Sequence, residues 1–230
     1  LYLLIMASGY QDLNSFRTKA EEARDYLYTK EPMASRRSDV TISIYENTTD
    51  LGCYNNCYGI ERLLCCDSQK VGLAAAGSGY LFDEILILHN TATYSGGGAR
   101  DNGYYQINSA SSYCQMYHGA YTTPMTLHEF GHSFGNLCDE YTYGSEGYSY
   151  MECVNCRASC QDWADVSTGC NQSCDARSDY YRPEDSIMIN YNVQTFNQPS
   201  IHYGLIPRLN YFAPESETPV SGAVQTPVYQ

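Results

Sequence analysis

Basic residues are scarce. Thirteen Lys and Arg stand against twenty-six Asp and Glu, a net charge of -13, so no positive field exists to hold a phosphate backbone and nucleic-acid binding is disfavoured. Long apolar runs are missing too. The longest, Leu1 to Ala7 and Ile85 to Leu88, fall far short of the roughly 20 residues that a membrane-spanning helix needs. Nothing has the pattern of a cleavable signal, and the expectation is a mature soluble chain with no membrane span. At 230 residues it is one large domain or two small ones, big enough for a real core.

Cysteine is abundant instead. Eleven are too many for a reduced cytosolic protein of this size, so an oxidising, extracellular or cell-surface location with disulfide bonds is expected. The number is odd, which leaves at least one thiol unpaired, bound to metal, or joined to another chain. Twenty-four Tyr, few Lys, and sequons at Asn47 and Asn171 fit an exposed surface able to carry glycans.

Hydrophobic patterning divides the chain. Leu3 to Met6 reads as a strand, ending in a turn at Ser8-Gly9-Tyr10; beginning inside a strand suggests trimming upstream. From Asp12 to about Thr29, Phe16, Ala20, Ala23 and Leu27 fall at helical spacing, with Asp12 or Asn14 able to cap. Val40, Ile42 and Ile44 alternate as a half-buried strand, while Glu84 to His89 is apolar enough for the middle of a sheet. Ser95-Gly-Gly-Gly-Ala-Arg100 lacks the Lys-Ser/Thr of a phosphate cradle and reads as a flexible loop, with a short edge strand from Tyr104 to Ile107. Beyond Asp139 the periodicity gives way to Tyr, Gly and five cysteines between Cys153 and Cys174, a composition that needs covalent staples. A last helix is expected near Ser200, burying Ile201 and Leu205. The stretch after Pro214 reads as linker.

His128-Glu129-Phe130-Gly131-His132 carries the chemistry. Two histidines four apart project from one helix face and can reach one zinc ion. Zinc makes a water acidic and polarises a carbonyl, and the carboxylate of Glu129 can take that water's proton and pass it to a leaving amine. This is peptide-bond hydrolysis. Leu127, Phe130 and Phe134 would pack inward from the same helix, which Pro124 or Thr126 can start.

A catalytic zinc normally has three protein ligands. Gly135 completes His-Glu-x-x-His-x-x-Gly, in which the helix breaks and the chain turns back to deliver the third. The residues at that place are Cys138, Asp139 and Glu140. A straight helix would carry Asp139 about 10 Å along the axis from His132, so ligation requires the helix to end near Gly135. Asp139 is the first choice, with Glu140 and Cys138 as alternatives, and either acidic residue could instead be a solvated carboxylate or a partner of a ligand histidine. Ser186-Ile187-Met188 has the form of a methionine turn, and Tyr191 after it could donate to an oxyanion.

At these residues the chain resembles the immunoglobulin-A-peptidase-type family of metzincin-like zinc metallopeptidases. The likeness rests on Cys57-Tyr-Gly-Ile-Glu-Arg-Leu-Leu-Cys-Cys-Asp67, on His128 through Tyr141, and on Tyr181-Arg-Pro-Glu-Asp-Ser-Ile-Met188 with Asn197 to Ser200 after it. It implies an α/β (α+β), zincin/metzincin-like fold: a twisted mixed sheet with a backing helix and an active-site helix, and a cysteine-rich C-terminal half. It also implies a secreted endopeptidase in which His128, His132 and Asp139 hold zinc and Glu129 is the base. Two departures stand out. Cys138 occupies a place where the family tends to have a small residue, and Tyr191 lies one residue further from Met188 than expected.

The sequence therefore reads as a catalytic domain over 1–212, its α/β half 1–136 and its cysteine-rich half 137–212, followed by a polar tail at 213–230. The expected function is zinc-dependent hydrolysis of a protein or glycoprotein substrate, pairing with the edge strand around Tyr104 to Ile107. The chain could belong to a larger extracellular assembly. One alternative is a structural or adhesive module that keeps the peptidase fold. Another is a disulfide-bound lectin-like domain, which would leave the two histidines apart.

Overall fold

The computed structural model describes residues 1–98, 106–111, 122–142 and 153–212. Strand β1 (Tyr2–Ser8) is buried from Leu3 onward. Its alternate residues serve two faces: Leu3, Ile5 and Ala7 join one core cluster, and Leu4 and Met6 another. Burial on both faces explains its unbroken apolar run. Helix α1 (Leu13–Tyr28) is capped by Asp12, whose carboxylate accepts from the Asn14 amide at 3.0 Å. It buries the expected stripe of Phe16, Ala20, Ala23 and Leu27 and leads to strand β2 (Thr41–Tyr45).

Next comes a small antiparallel hairpin, β3 (Tyr54–Asn55) and β4 (Leu64–Cys65), stapled by Cys53–Cys66 and Cys57–Cys65. Helix α2 (Ser68–Ala76), capped by Asp67, covers the second face with Val71 and Ala75. Strand β5 (Glu84–His89), short β6 (Gly96–Gly98) and β7 (Gln106–Ser111) complete a sheet of order β2-β1-β5-β7-β6. All neighbours are parallel except β6 and β7. Helix α3 (Thr122–Ser133) lies on the α1 side, where Leu127, Phe130 and Phe134 join that cluster.

Two expectations change here. The glycine run is an edge strand rather than a loop, because backbone approaches closely there and side chains would not fit. A Cβ on Gly96 would collide with Glu129 Oε1, and one on Gly97 with the Leu64 carbonyl. Residues from Gln106 onward, expected at the edge, lie between β5 and β6; Tyr104 is outside the described residues. The outer side of β6 is met by the stapled hairpin, with Gly96 N donating to Arg62 O at 3.1 Å and Leu63 bridging Gly96.

In the cysteine-rich part, β8 (Asn171–Cys174) and β9 (Arg177–Arg182) form an antiparallel pair. Cys138–Cys153, Cys156–Cys174 and Cys160–Cys170 staple the region, and Cys138, Cys153, Cys156 and Cys174 form its own buried cluster. Ten cysteines are thus paired, and Cys138 is not the odd one. The eleventh is Cys114, outside the described residues. The expected last helix is a wide π-helical turn, Ser200–Leu205, running into α4 (Ile206–Phe212). Leu205 is buried and Ile201 packs against the core. The segment 213–230 lies outside the described residues. Asn47 is 5 % exposed and accepts from the Ala7 amide, so the folded chain offers no glycan acceptor there, whereas Asn171 is exposed. No helix among the described residues is long and apolar enough to cross a membrane.

Candidate metal centre

The i, i+4 spacing on α3 brings His128 Nε2 within 3.1 Å of His132 Nε2. Helix α3 then stops, as the sequence required, although the left-handed residue is Asn136 (φ 52°) rather than Gly135. Gly135 is needed for closeness: its Cβ would lie 2.8 Å from the Gly131 carbonyl and 3.0 Å from Leu205. Past the break, the Leu137 amide reaches back to Gly131 O at 3.0 Å, and its carbonyl accepts from His132 Nδ1 at 2.8 Å. Asn155 clamps the Cys138 backbone through two hydrogen bonds, 2.9 and 2.8 Å. Asp139 follows, its Oδ1 3.1 Å from His132 Nε2 and 3.2 Å from His128 Nε2.

This triangle has a chemical consequence. His128 Nδ1 donates to Ile187 O at 3.0 Å and His132 Nδ1 to Leu137 O. A carbonyl can only accept, so both imidazoles carry their proton on Nδ1 and turn an Nε2 lone pair toward the carboxylate. Three acceptors converge, a repulsive arrangement unless positive charge sits among them. Donors about 2.05 Å from a tetrahedral ion stand about 3.3 Å apart, close to the observed sides. Calcium, with oxygen ligands at about 2.4 Å and a coordination number of six or more, does not suit this set. His128, His132 and Asp139 could therefore hold a metal ion. The lectin-like alternative fails, since the two histidines are together.

The other acidic and sulfur candidates face elsewhere. Cys138 is sealed in its disulfide. Glu140 is 1 % exposed, and its carboxyl accepts from Ser186 Oγ at 2.8 Å, Asn155 Nδ2 at 3.1 Å and Asn197 Nδ2 at 2.7 Å. Its amide also donates to Met188 O at 2.9 Å. It fastens the Asp139 segment to the Ser186–Met188 turn. Met188 is fully buried, with its Sδ 2.7 Å from where a Cβ of Gly131 would be. The turn therefore sits against α3 between the two histidines.

Glu129 is buried beside the triad, and desolvation pushes its carboxyl up to about 7, Asp139 adding to the rise while His128 and Arg62 oppose it. Tyr191 stands edge-on to His128, ring centroids 5.5 Å apart, and burial holds its phenol well above the ordinary range. The expected residues thus come together. Four others were not anticipated. Arg62 Nη1 donates to the Tyr141 hydroxyl at 2.8 Å, and Asn155 and Asn197 hold Glu140. Arg62, Tyr141 and Asn197 lie inside the sequence blocks that carry the family resemblance; Asn155 has no sequence signal.

The model of the IgA peptidase M64 family matches residues 1–161, a span that includes β1 through the triad of His128, His132 and Asp139. The chain belongs to this family. It is accordingly a peptidase, a hydrolase whose substrates are proteins. The match ends before the Ser186–Met188 turn and Tyr191, so what those residues do rests on their contacts alone. No curated protein matches the chain.

Proposed function

We propose that this peptidase is a zinc-dependent endopeptidase of the extracellular space with a metzincin-like catalytic domain over residues 1–212. It would cleave protein or glycoprotein substrates, alone or within a larger extracellular assembly. One observation carries the reading: two Nε2 lone pairs and a carboxylate oxygen meet at 3.1–3.2 Å, each histidine locked by a carbonyl behind it. His128, His132 and Asp139 would hold the zinc, and nitrogen plus carboxylate donors in this number suit that metal. Bound there, zinc would supply a Lewis acid able to polarise a scissile carbonyl and to bring the deprotonation of water into the neutral pH range. Glu129 takes the proton of the attacking water and returns it to the leaving amine. Burial raises that carboxyl above the ordinary range, which favours its keeping the proton long enough to pass it on. The Tyr191 hydroxyl, kept protonated by burial, would donate to the oxyanion as charge develops. The five disulfides support life outside the cell.

Metal content and casein cleavage test the reading. The purified chain should contain about one zinc, lose activity with chelator and regain it with added zinc. Glu129→Gln should keep the metal and lose at least about 100-fold in kcat. Cleavage by that variant at the wild-type rate would overturn the mechanism, and a metal-loaded but inert wild type would favour the adhesive module.

A further inference from the structure

Asn155 is fully buried and lies in the short turn Cys153–Cys156, where the Cys156 amide donates to Cys153 O at 3.1 Å. Two disulfides close on this turn, Cys138–Cys153 and Cys156–Cys174, so the side chain between them has a fixed origin. A carboxamide offers an acceptor and two donors side by side. Here Oδ1 accepts from the Cys138 amide at 2.9 Å, and Nδ2 donates to Cys138 O at 2.8 Å and to Glu140 Oε1 at 3.1 Å.

The two Cys138 groups belong to different peptides, and each peptide leads to a different member of the triad. The Cys138 N–H shares a plane with Leu137 C=O, the carbonyl that accepts from His132 Nδ1 at 2.8 Å. Holding the N–H therefore aims the carbonyl that fixes the His132 ring, and hydrogen bonds at both ends of one peptide polarise it and make that carbonyl the better acceptor. Cys138 C=O shares its plane with the Asp139 N–H. The following peptide is fixed as well, since Asp139 O accepts from the Asp175 amide at 3.0 Å and the Glu140 amide donates to Met188 O at 2.9 Å. With both planes around its Cα set, Asp139 has one direction for its Cβ, and Oδ1 comes to 3.1 and 3.2 Å from the two Nε2 atoms.

We infer that Asn155 is a positioning residue for two of the three triad members, His132 through the 137–138 peptide and Asp139 through the 138–139 peptide. The stapled turn thereby sets metal affinity without supplying a ligand. The inference rests on the reading of His128, His132 and Asp139 as a metal site. A buried asparagine that only stabilised the fold would raise the melting temperature and leave affinity alone.

The experiment titrates zinc against a chromophoric chelator for the full chain and for Asn155→Leu, Asn155→Asp and Asn47→Ala. Leu is close in size and has no polar atom, whereas Asp keeps an oxygen for the Cys138 amide. Asn47 follows β2, at the sheet edge opposite β6, and is the reference for a buried asparagine that binds backbone away from the triad, accepting from the Ala7 amide at 3.0 Å. Cobalt(II) absorption reports ligand geometry, the ring Nδ1–H resonances of the zinc-loaded chain report each histidine, and melting of the metal-free forms, followed at buried Trp163, reports folding. Asn155→Leu should weaken zinc binding about 10–100-fold, as loss of a group that orients ligands does. It should also alter the cobalt spectrum and shift the His132 proton more than that of His128, which Ile187 O holds. Asn155→Asp should fall between that variant and the parent, and Asn47→Ala should melt lower with its affinity unchanged. Asn155 variants within about threefold of the parent and with its cobalt spectrum would overturn the inference even if they melted lower, and so would an equal loss of affinity in Asn47→Ala. If Asn155→Leu does not fold, Asn155→Asp decides by the same criteria. A parent chain that binds neither zinc nor cobalt would overturn the metal-site reading and this one with it, whereas a metal-binding parent whose Asn155 variants are unimpaired would remove this one alone.

Discussion

Replacing Glu140 with Gln should flatten the pH dependence of stability, by an amount the structure bounds. Burial pushes the Glu140 carboxyl to about 7 even though hydrogen bonds from Ser186, Asn155 and Asn197 pull it down. Below about pH 4.5 the group is protonated in both folded and unfolded chains, and its contribution to stability is fully present. Between about 4.5 and 7 the unfolded chain releases the proton while the folded chain keeps it. Each pH unit in that window costs about 1.4 kcal/mol, and above it the loss levels off at about 3 kcal/mol. For a chain of this size that is roughly 6–12 °C in Tm. Gln cannot ionise. Its Oε1 can still accept from both asparagines, and its amide can donate to the Ser186 hydroxyl, which rotates to accept.

Glu129, also raised to about 7 by burial, adds a slope of the same sign to both proteins, so the difference between them isolates Glu140. Tm should be measured for wild type and Glu140→Gln from pH 5 to 8 in chelator, by fluorescence of Trp163, which is fully buried. The variant's Tm relative to wild type should rise with pH, most of the change falling below pH 7. Parallel curves would refute the reasoning, since they would mean that the folded chain holds Glu140 no more neutral than the unfolded chain does.

Two further outcomes follow from contacts around α3. Gly131→Ala gains about 1 kcal/mol of helix propensity, but its Cβ would lie 2.7 Å from Met188 Sδ and 2.8 Å from Phe196 Cε1. The thioether can swing aside and the buried ring cannot, so overpacking of about 1–3 kcal/mol should win and Tm should drop by a few degrees; a rise would show that the Ser186–Met188 turn is not seated against the helix. In a pH–rate profile, kcat/KM should fall on acidification, because Glu129 must be ionised to accept a proton. The apparent pKa should be at or below about 7, lowered further by a cation at the triad, and activity that climbs from pH 8 to 5 would exclude Glu129 as base.

What the sequence disclosed follows from the range of the interactions. The α1 stripe, its Asp12 cap and the two histidines are local patterns, and α3 and its break lie within a dozen residues of one another. The strand at Gly96–Gly98 looks like a loop in sequence because glycine carries no periodic signal, and the need for it comes from Glu129 and Leu64 across the fold. Arg62 and Asn197 meet their partners over 79 and 57 residues, distances at which spacing says nothing. The choice among Cys138, Asp139 and Glu140 lies between these extremes. In a helix, successive side chains would step round by about 100°, and all three would compete for nearby faces. Past Asn136 the chain is no longer helical, and in an extended stretch neighbours point to opposite sides. The contacts follow that alternation: Cys138 goes to Cys153, Asp139 to the histidines, and Glu140 to Ser186, Asn155 and Asn197. The left-handed turn at Asn136 thus selects which side chain meets the two histidines, since one residue's change in register would bring a disulfide sulfur or an already satisfied carboxylate there instead.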